Sequence, residues 1–178
     1  MTPRPAPDLD LRRDQIARLA RDVAEAEGWS AVTMRRLSKE LGVTQPVLYS
    51  AFASRQALID AVALDGFATI AAALESVEAT PLARMRAYLD FADAHPHVYE
   101  AMFSMPSGLR FAERAYEPLT RAFATIREVF PGTDDDTAPG DVRAEVAWST
   151  LHGLATLQAG GRSRRSACKR ALPTPTRC

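Results

Sequence analysis

The twenty residues from Thr33 to Phe52 constrain this chain more than any others. Thr33 is a helix N-cap by type, with Val32 and Leu37 at the two positions of a hydrophobic staple. A tight turn follows at Gly42. Thr44 then offers a second cap, Val43 and Leu48 a second staple, and Pro46 falls in the first helical turn, where no backbone bond is lost. Ser54 repeats the pattern more loosely before a long helix that starts near Arg55. Neither middle helix is long enough to stand alone, so caps and packing must hold both. Two short helices meeting at a turn, the second with small polar groups at its start, are the sequence form of a helix-turn-helix. That motif places one helix in the major groove of DNA.

The flanking segments are helical by period. Asp10, with Asp8 as the competing choice, caps a first helix through Glu27, with Leu11, Ile16, Leu19, Val23 and Ala26 on one side and Gly28 at a left-handed stop. Its outer face carries Arg12, Arg13, Arg18 and Arg21, which reads either as a solvated face or as arginines near phosphates. The fourth helix runs from Arg55 to about Glu75, burying Leu58, Ile59, Val62, Phe67, Ile70 and Leu74. Thr80-Pro81 opens a helix through Leu82, Met85, Leu89 and Ala92, which stops at His95-Pro96 because a residue before proline is pushed out of helical geometry. Val98, Tyr99, Met102 and Phe103 predict a short apolar helix, and Leu109 to Phe130 a longer one with a kink or break at Pro118. A surface loop follows over 131–140. The last helix spans Asp141 to about Ala159, and its apolar residues Val142, Val146, Trp148, Leu151, Leu154, Ala155 and Leu157 cover more than one stripe, so it is buried on more than one side. No strand-like alternation occurs. The predicted fold class is all-α, with an N-terminal three-helix helix-turn-helix and a C-terminal helical domain.

Composition excludes several classes. With 22 basic and 22 acidic residues the chain is neutral, which argues against a histone-like nonspecific binder but allows a local basic surface. Apolar residues make up 47% of the chain, enough for a core, and no run of eighteen apolar residues or signal-peptide pattern is present, so a cytoplasmic protein without membrane contact is expected. The arginine bias, with lysine only at Lys39 and Lys169, and abundant alanine point to a GC-rich bacterial gene. Cys168 and Cys178 are too few and too terminal for a disulfide framework or metal knuckle. Asp134, Asp135 and Asp136 lack the spacing of a calcium loop. No metal or cofactor is expected.

Thr33, Gly42-Val43-Thr44, Leu48-Tyr49, Phe52 and Ser54-Arg55, with the helix ahead of them, resemble the DNA-binding domain of TetR-family transcriptional regulators. His95 to Phe103 and Trp148-Ser149-Thr150-Leu151-His152-Gly153 are similar to the C-terminal domain of a subgroup with a Trp-x-x-x-His-Gly signature, which extends the likeness over about 11 to 161. The resemblance implies a homodimer whose paired recognition helices read a palindromic operator in double-stranded DNA, controlled by a small-molecule effector of apolar or amphipathic character. Gln45, Pro46, Tyr49 and Ser50 would face DNA, with Gln45 suited to an adenine edge and Pro46 and the Thr44 methyl to thymine methyls. Thr33, Thr44, Tyr49 and Arg55 would hold phosphates, while Tyr49 also reads as a half-buried packing residue. Leu37, Leu41, Val47, Leu48 and Phe52 would be core. Pocket candidates are Tyr88, Phe91, Tyr99, Met102, Phe103, Phe123, Trp148 and His152, each also compatible with plain core. His152 reads equally as a polar anchor or as a donor to a backbone carbonyl.

The expected organisation is a disordered tail over 1–9, a helix-turn-helix domain over 10–56, a ligand-binding and dimerisation domain over 57–161, and a basic tail over 162–178. After Gly161 the helical period is lost, and no acid follows Glu145. The resemblance implies one more amphipathic helix there, so a truncated or frame-shifted product with a weakened dimer is the expectation. Two rivals remain: a remnant acting only as an interaction protein, and an enzyme built on His95, His97, His152 and the aspartate run. The enzyme lacks any nucleophile elbow, phosphate loop or metal-ligand spacing.

Overall fold

The computed structural model describes residues 9–109, 116–130 and 140–162. Its elements are α1 (Leu9–Glu27), a single 3-10 turn (Trp29–Ala31), α2 (Met34–Glu40), α3 (Gln45–Ala51), α4 (Arg55–Glu75), α5 (Pro81–Ala94), α6 (Pro96–Phe103), α7 (Glu117–Val129) and α8 (Gly140–Ala159). No strand occurs among the described residues, so the all-α expectation holds. The expectations for the tails, for the aspartate run and for residues 110–115 lie outside the described residues.

Caps decide where these helices begin. Thr33 Oγ1 accepts from the Arg36 N–H at 3.2 Å, Ser54 Oγ from Ala57 N–H at 3.1 Å, and Thr80 Oγ1 from Ala83 N–H at 3.4 Å. Each satisfies an amide that the first helical turn leaves without a partner. Gly42 takes φ 64°, a backbone that a side chain at this turn would resist, and Val43 N–H closes the turn on Ser38 O at 3.0 Å.

Four expectations need correction. Helix α1 already includes Leu9, so Asp10 lies in its first turn, where a carboxylate favours the helix dipole, and Leu11 is exposed. Thr44 stands at the N-cap of α3 but its side chain makes no capping bond. Leu109 lies outside a helix, and of the kink or break expected at Pro118 the structure shows the break: Tyr116 stands at the N-cap of α7 and Pro118 in its first turn, where a ring without an N–H fits. Leu82 is 58% exposed at the start of α5 and adds nothing to the core.

The chain divides into two compact units. The first holds α1 to Phe67 of α4, together with α6 from His97 and the loop to Leu109. Here α1 packs on α2 and α3, burying Ile16, Ala20, Val23, Leu37, Leu48 and Phe52. The second unit holds the remainder of α4, α5, α7 and α8. In it α5, α7 and α8 pack on one another over Tyr88, Leu89, Ile126, Ala144, Leu151 and Ala155. Buried Arg84 donates to the carbonyl of Leu74 and pairs with Glu128 at 3.2 Å, which gives the C-terminal end of α4 a cationic donor. By length and apolarity α4 passes for a membrane span, but half of its most apolar window is buried inside the protein, as expected of a core helix.

Candidate nucleic-acid interface

Helix α3 has only seven residues, and its sequence sorts them by side. Leu48 and Ala51 are buried, and Phe52 closes the inner side at the C-cap. Thr44, Gln45, Pro46, Tyr49 and Ser50 are all exposed, Tyr49 by 48%. Tyr49 is thus half exposed, a value that fits both of its readings. Five exposed groups thus share the outer side of a helix clamped from behind. The Thr44 hydroxyl, with no capping bond to make, stands at the start of this surface, while Ser50 Oγ donates back to Val47 O at 2.7 Å.

The cations around α3 divide in a way the sequence did not reveal. Arg13 lies over the Phe52 ring with its guanidinium carbon 4.4 Å from the centroid, and donates to the Ala51 carbonyl. It therefore holds the C-terminal end of α3 to α1. Arg21 pairs with Asp65 at 3.3 Å and with Asp22 at 3.4 Å. Arg36 makes a two-pronged bond to Glu27, at 2.6 and 2.7 Å, and another to Glu40 at 2.7 Å. Hydrogen bonding to Arg36 holds the Glu27 carboxyl below the usual carboxylate range, and the same two carboxylates raise Arg36. Arg55, expected at phosphates, directs Nε to Val32 O at 2.8 Å and a terminal nitrogen to Trp29 O at 2.6 Å. It braces the segment leading into α2, a role with no sequence signal because its acceptors are backbone carbonyls 23 and 26 residues away.

The eight pocket candidates are shared between the two units. Tyr99, Met102 and Phe103 lie in the first unit, where Tyr99 and Phe103 have ring centroids 4.7 Å apart. Tyr88, Phe91, Phe123, Trp148 and His152 lie in the second. There Trp148 Nε1 donates to Tyr88 Oη at 3.1 Å, and the Phe123 and Trp148 rings are 5.3 Å apart. An open cleft of about 450 Å³ in the same unit is lined by Met85, Phe130, Val142, Arg143, Val146, Ala147 and Thr150, none of them among the candidates. The outward Val142 and Val146 were visible in the sequence as surplus apolar residues on the last helix.

A capped helix-turn-helix followed by a helical bundle, all-helical among the described residues, is the architecture of a DNA-binding regulator. Residues 16–62 match the family described as bacterial regulatory proteins, tetR family, and residues 81–171 match the tetracycline repressor-like C-terminal domain. The chain belongs to the TetR family of transcriptional regulators. It is 42% identical over 53 residues to the class C tetracycline repressor protein of Escherichia coli, covering 30% of this chain and 24% of that protein. It is 30% identical over 102 residues to the HTH-type transcriptional regulator YobS of Bacillus subtilis, covering 54% of this chain and 53% of that protein. The chain thus spans about a quarter and about half of the lengths of these relatives. A solved structure of a protein of unknown function from Rhodococcus sp. RHA1 is 28% identical, with TM-score 0.68, covering 97% of this chain and 91% of that one.

Proposed function

We propose that this protein is a ligand-responsive repressor that binds a palindromic operator as a homodimer in the cytoplasm. The observation that carries the reading is the outer side of α3, where Thr44, Gln45, Pro46, Tyr49 and Ser50 are exposed while Leu48 and Phe52 anchor the helix from behind. Gln45 presents the amide that pairs with an adenine edge, Pro46 and the Thr44 methyl meet thymine methyls, and Thr33, Thr44 and Tyr49 bind phosphate oxygens. Arg55 contributes to phosphate binding through the position it imposes on α2. On this reading residues 10–56 read DNA, and 57–161 bind the effector and the second subunit.

Exposed aliphatic side chains on α8, Val142, Val146, Leu154 and Leu157, support a subunit contact there. The effector is apolar or amphipathic. Support for that comes from the aromatic set Tyr88, Phe91, Phe123, Trp148 and His152, and from the apolar cleft beside α8. Linkage makes the control reciprocal: an effector that prefers the spacing of recognition helices unsuited to DNA is itself bound less tightly by the DNA complex.

Footprinting on the region upstream of the protein's own gene tests the reading. A protected palindrome with half-sites about one helical turn apart is expected. A folded dimer that protects nothing there, and selects no duplex from a random pool, would overturn it.

A further inference from the structure

After α5 the chain returns to the N-terminal unit at His97, and that return is held at three places. At the first, the Glu25 carboxylate on α1 accepts from Val98 N–H at 2.8 Å and from His97 N–H at 3.5 Å. These are first-turn amides of α6 that have no partner in their own helix. At the second, α4 is notched by Gly66, where a Cβ would come within 2.6 Å of Val98 Cγ1 and 2.7 Å of Met102 Sδ and would push these α6 side chains aside. At the third, the loop behind α6 is fastened to α4. Gln56 Nε2 donates to Pro106 O at 2.6 Å, and the Asp60 carboxylate accepts from Ser107 Oγ and Gly108 N–H, each at 3.1 Å.

The grip continues into the helix-turn-helix. Trp29 Nε1 donates to His97 O at 2.8 Å, so the first turn of α6 holds the 3-10 turn. Trp29 O and Val32 O are in turn held by Arg55, and the next residue, Thr33, caps α2. One line of hydrogen bonds therefore runs from Glu25 through α6, Trp29 and Arg55 to the start of α2. No residue in it belongs to the exposed side of α3.

We propose that α6 and the loop to Leu109 form a built-in clamp that fixes the lead-in to α2, with Glu25 as its positioning residue. Opening the first turn of α6 frees Trp29, and with it the register in which α2 presents α3. The proposal gives a reason for the glycine at 66 and for the acid at 25. It rests on the reading of α3 as the DNA-contacting helix only for its consequence, since the clamp itself can be measured without DNA.

Hydrogen exchange on the full-length protein, followed by mass spectrometry, tests it with Glu25→Ala and with Trp29→Phe, which keeps a buried ring but removes the indole donor. Both variants are expected to raise exchange over 34–40 by about tenfold, while α7 and α8 keep their wild-type rates. Glu25→Gln, which retains an acceptor oxygen, should fall between wild type and Glu25→Ala. The proposal is overturned if exchange rises only at His97 and Val98 with α2 unchanged, and equally if all helices speed up together. A failed footprint with raised α2 exchange would sink the proposed function and leave the clamp standing.

Discussion

Helices α3 and α8 both turn side chains to solvent, and they turn opposite chemistry outward. Helix α3 is short, fixed by Arg13 at one end, and exposes Thr44, Gln45, Pro46, Tyr49 and Ser50. Helix α8 is 20 residues long and exposes Val142, Val146, Leu154 and Leu157 around a buried line of Ala144, Leu151 and Ala155. An exposed polar surface is already solvated, so it gains from a partner only through directed hydrogen bonds and therefore reads chemical identity. An exposed aliphatic surface gains from any dry cover, through area removed from water. On the proposed function, specificity would belong to α3 and assembly to α8, and each could be damaged without the other.

The largest test of that separation is Phe52→Ala. It removes the buried anchor behind α3, and urea unfolding should show a loss of about 3–5 kcal/mol. Val146→Ala, at a position 61% exposed, should leave subunit stability within about 0.5 kcal/mol and weaken self-association in sedimentation instead. If both changes cost the same stability, α8 is not a free surface.

Arg55→Ala comes next. Two backbone carbonyls lose a charged donor, and the expected loss is about 1–3 kcal/mol of stability, read by thermal unfolding, with weaker binding to every DNA sequence alike. Retained stability with reduced DNA affinity would return Arg55 to direct phosphate contact.

The two threonine caps give a sharper pair. Thr33 accepts a capping bond and Thr44 does not. Thr33→Ala should cost about 1 kcal/mol of stability, and Thr44→Ala almost none, although both weaken DNA binding. Equal unfolding midpoints for the two variants would contradict the difference in capping.

The smallest effect is at Glu27. Its bond to Arg36 holds the folded carboxyl below its unfolded value, so the stabilisation is present above the ordinary carboxylate range and fades as pH falls through the lowered value. Both partners are solvent-facing, so Glu27→Gln should flatten this acid-side slope only slightly, and high salt should erase the difference.

Much of this was legible in the sequence, and the reasons it was legible are local. Caps at Thr33, Ser54 and Thr80, the left-handed turn at Gly42 and the proline boundary at His95-Pro96 act within four residues, so residue type and spacing suffice to place α2, α4 and α5. At Pro118 the sequence leaves a kink and a break both open, because a ring without an N–H can bend a helix interior or open a helix start, and residue type alone does not choose between them. The roles of Arg13, Glu25 and Arg55 were illegible because each bonds a backbone group 23 or more residues away, and a backbone acceptor or donor has no residue type to recognise. The pocket candidates were chosen as aromatic and sulfur-bearing residues at helical spacing, a pattern that core and pocket share. Their separation into two units depends on where α6 packs, which no local pattern encodes.

The central claim, that the outward side of α3 reads base edges, is tested most directly by selecting duplexes from a random pool with the wild-type protein and with Gln45→Ala. The same palindromic site is expected for both, with preference at one base pair per half-site relaxed by about 1–3 kcal/mol in the variant and an unchanged thermal midpoint. Identical preferences at every position of the site would contradict it.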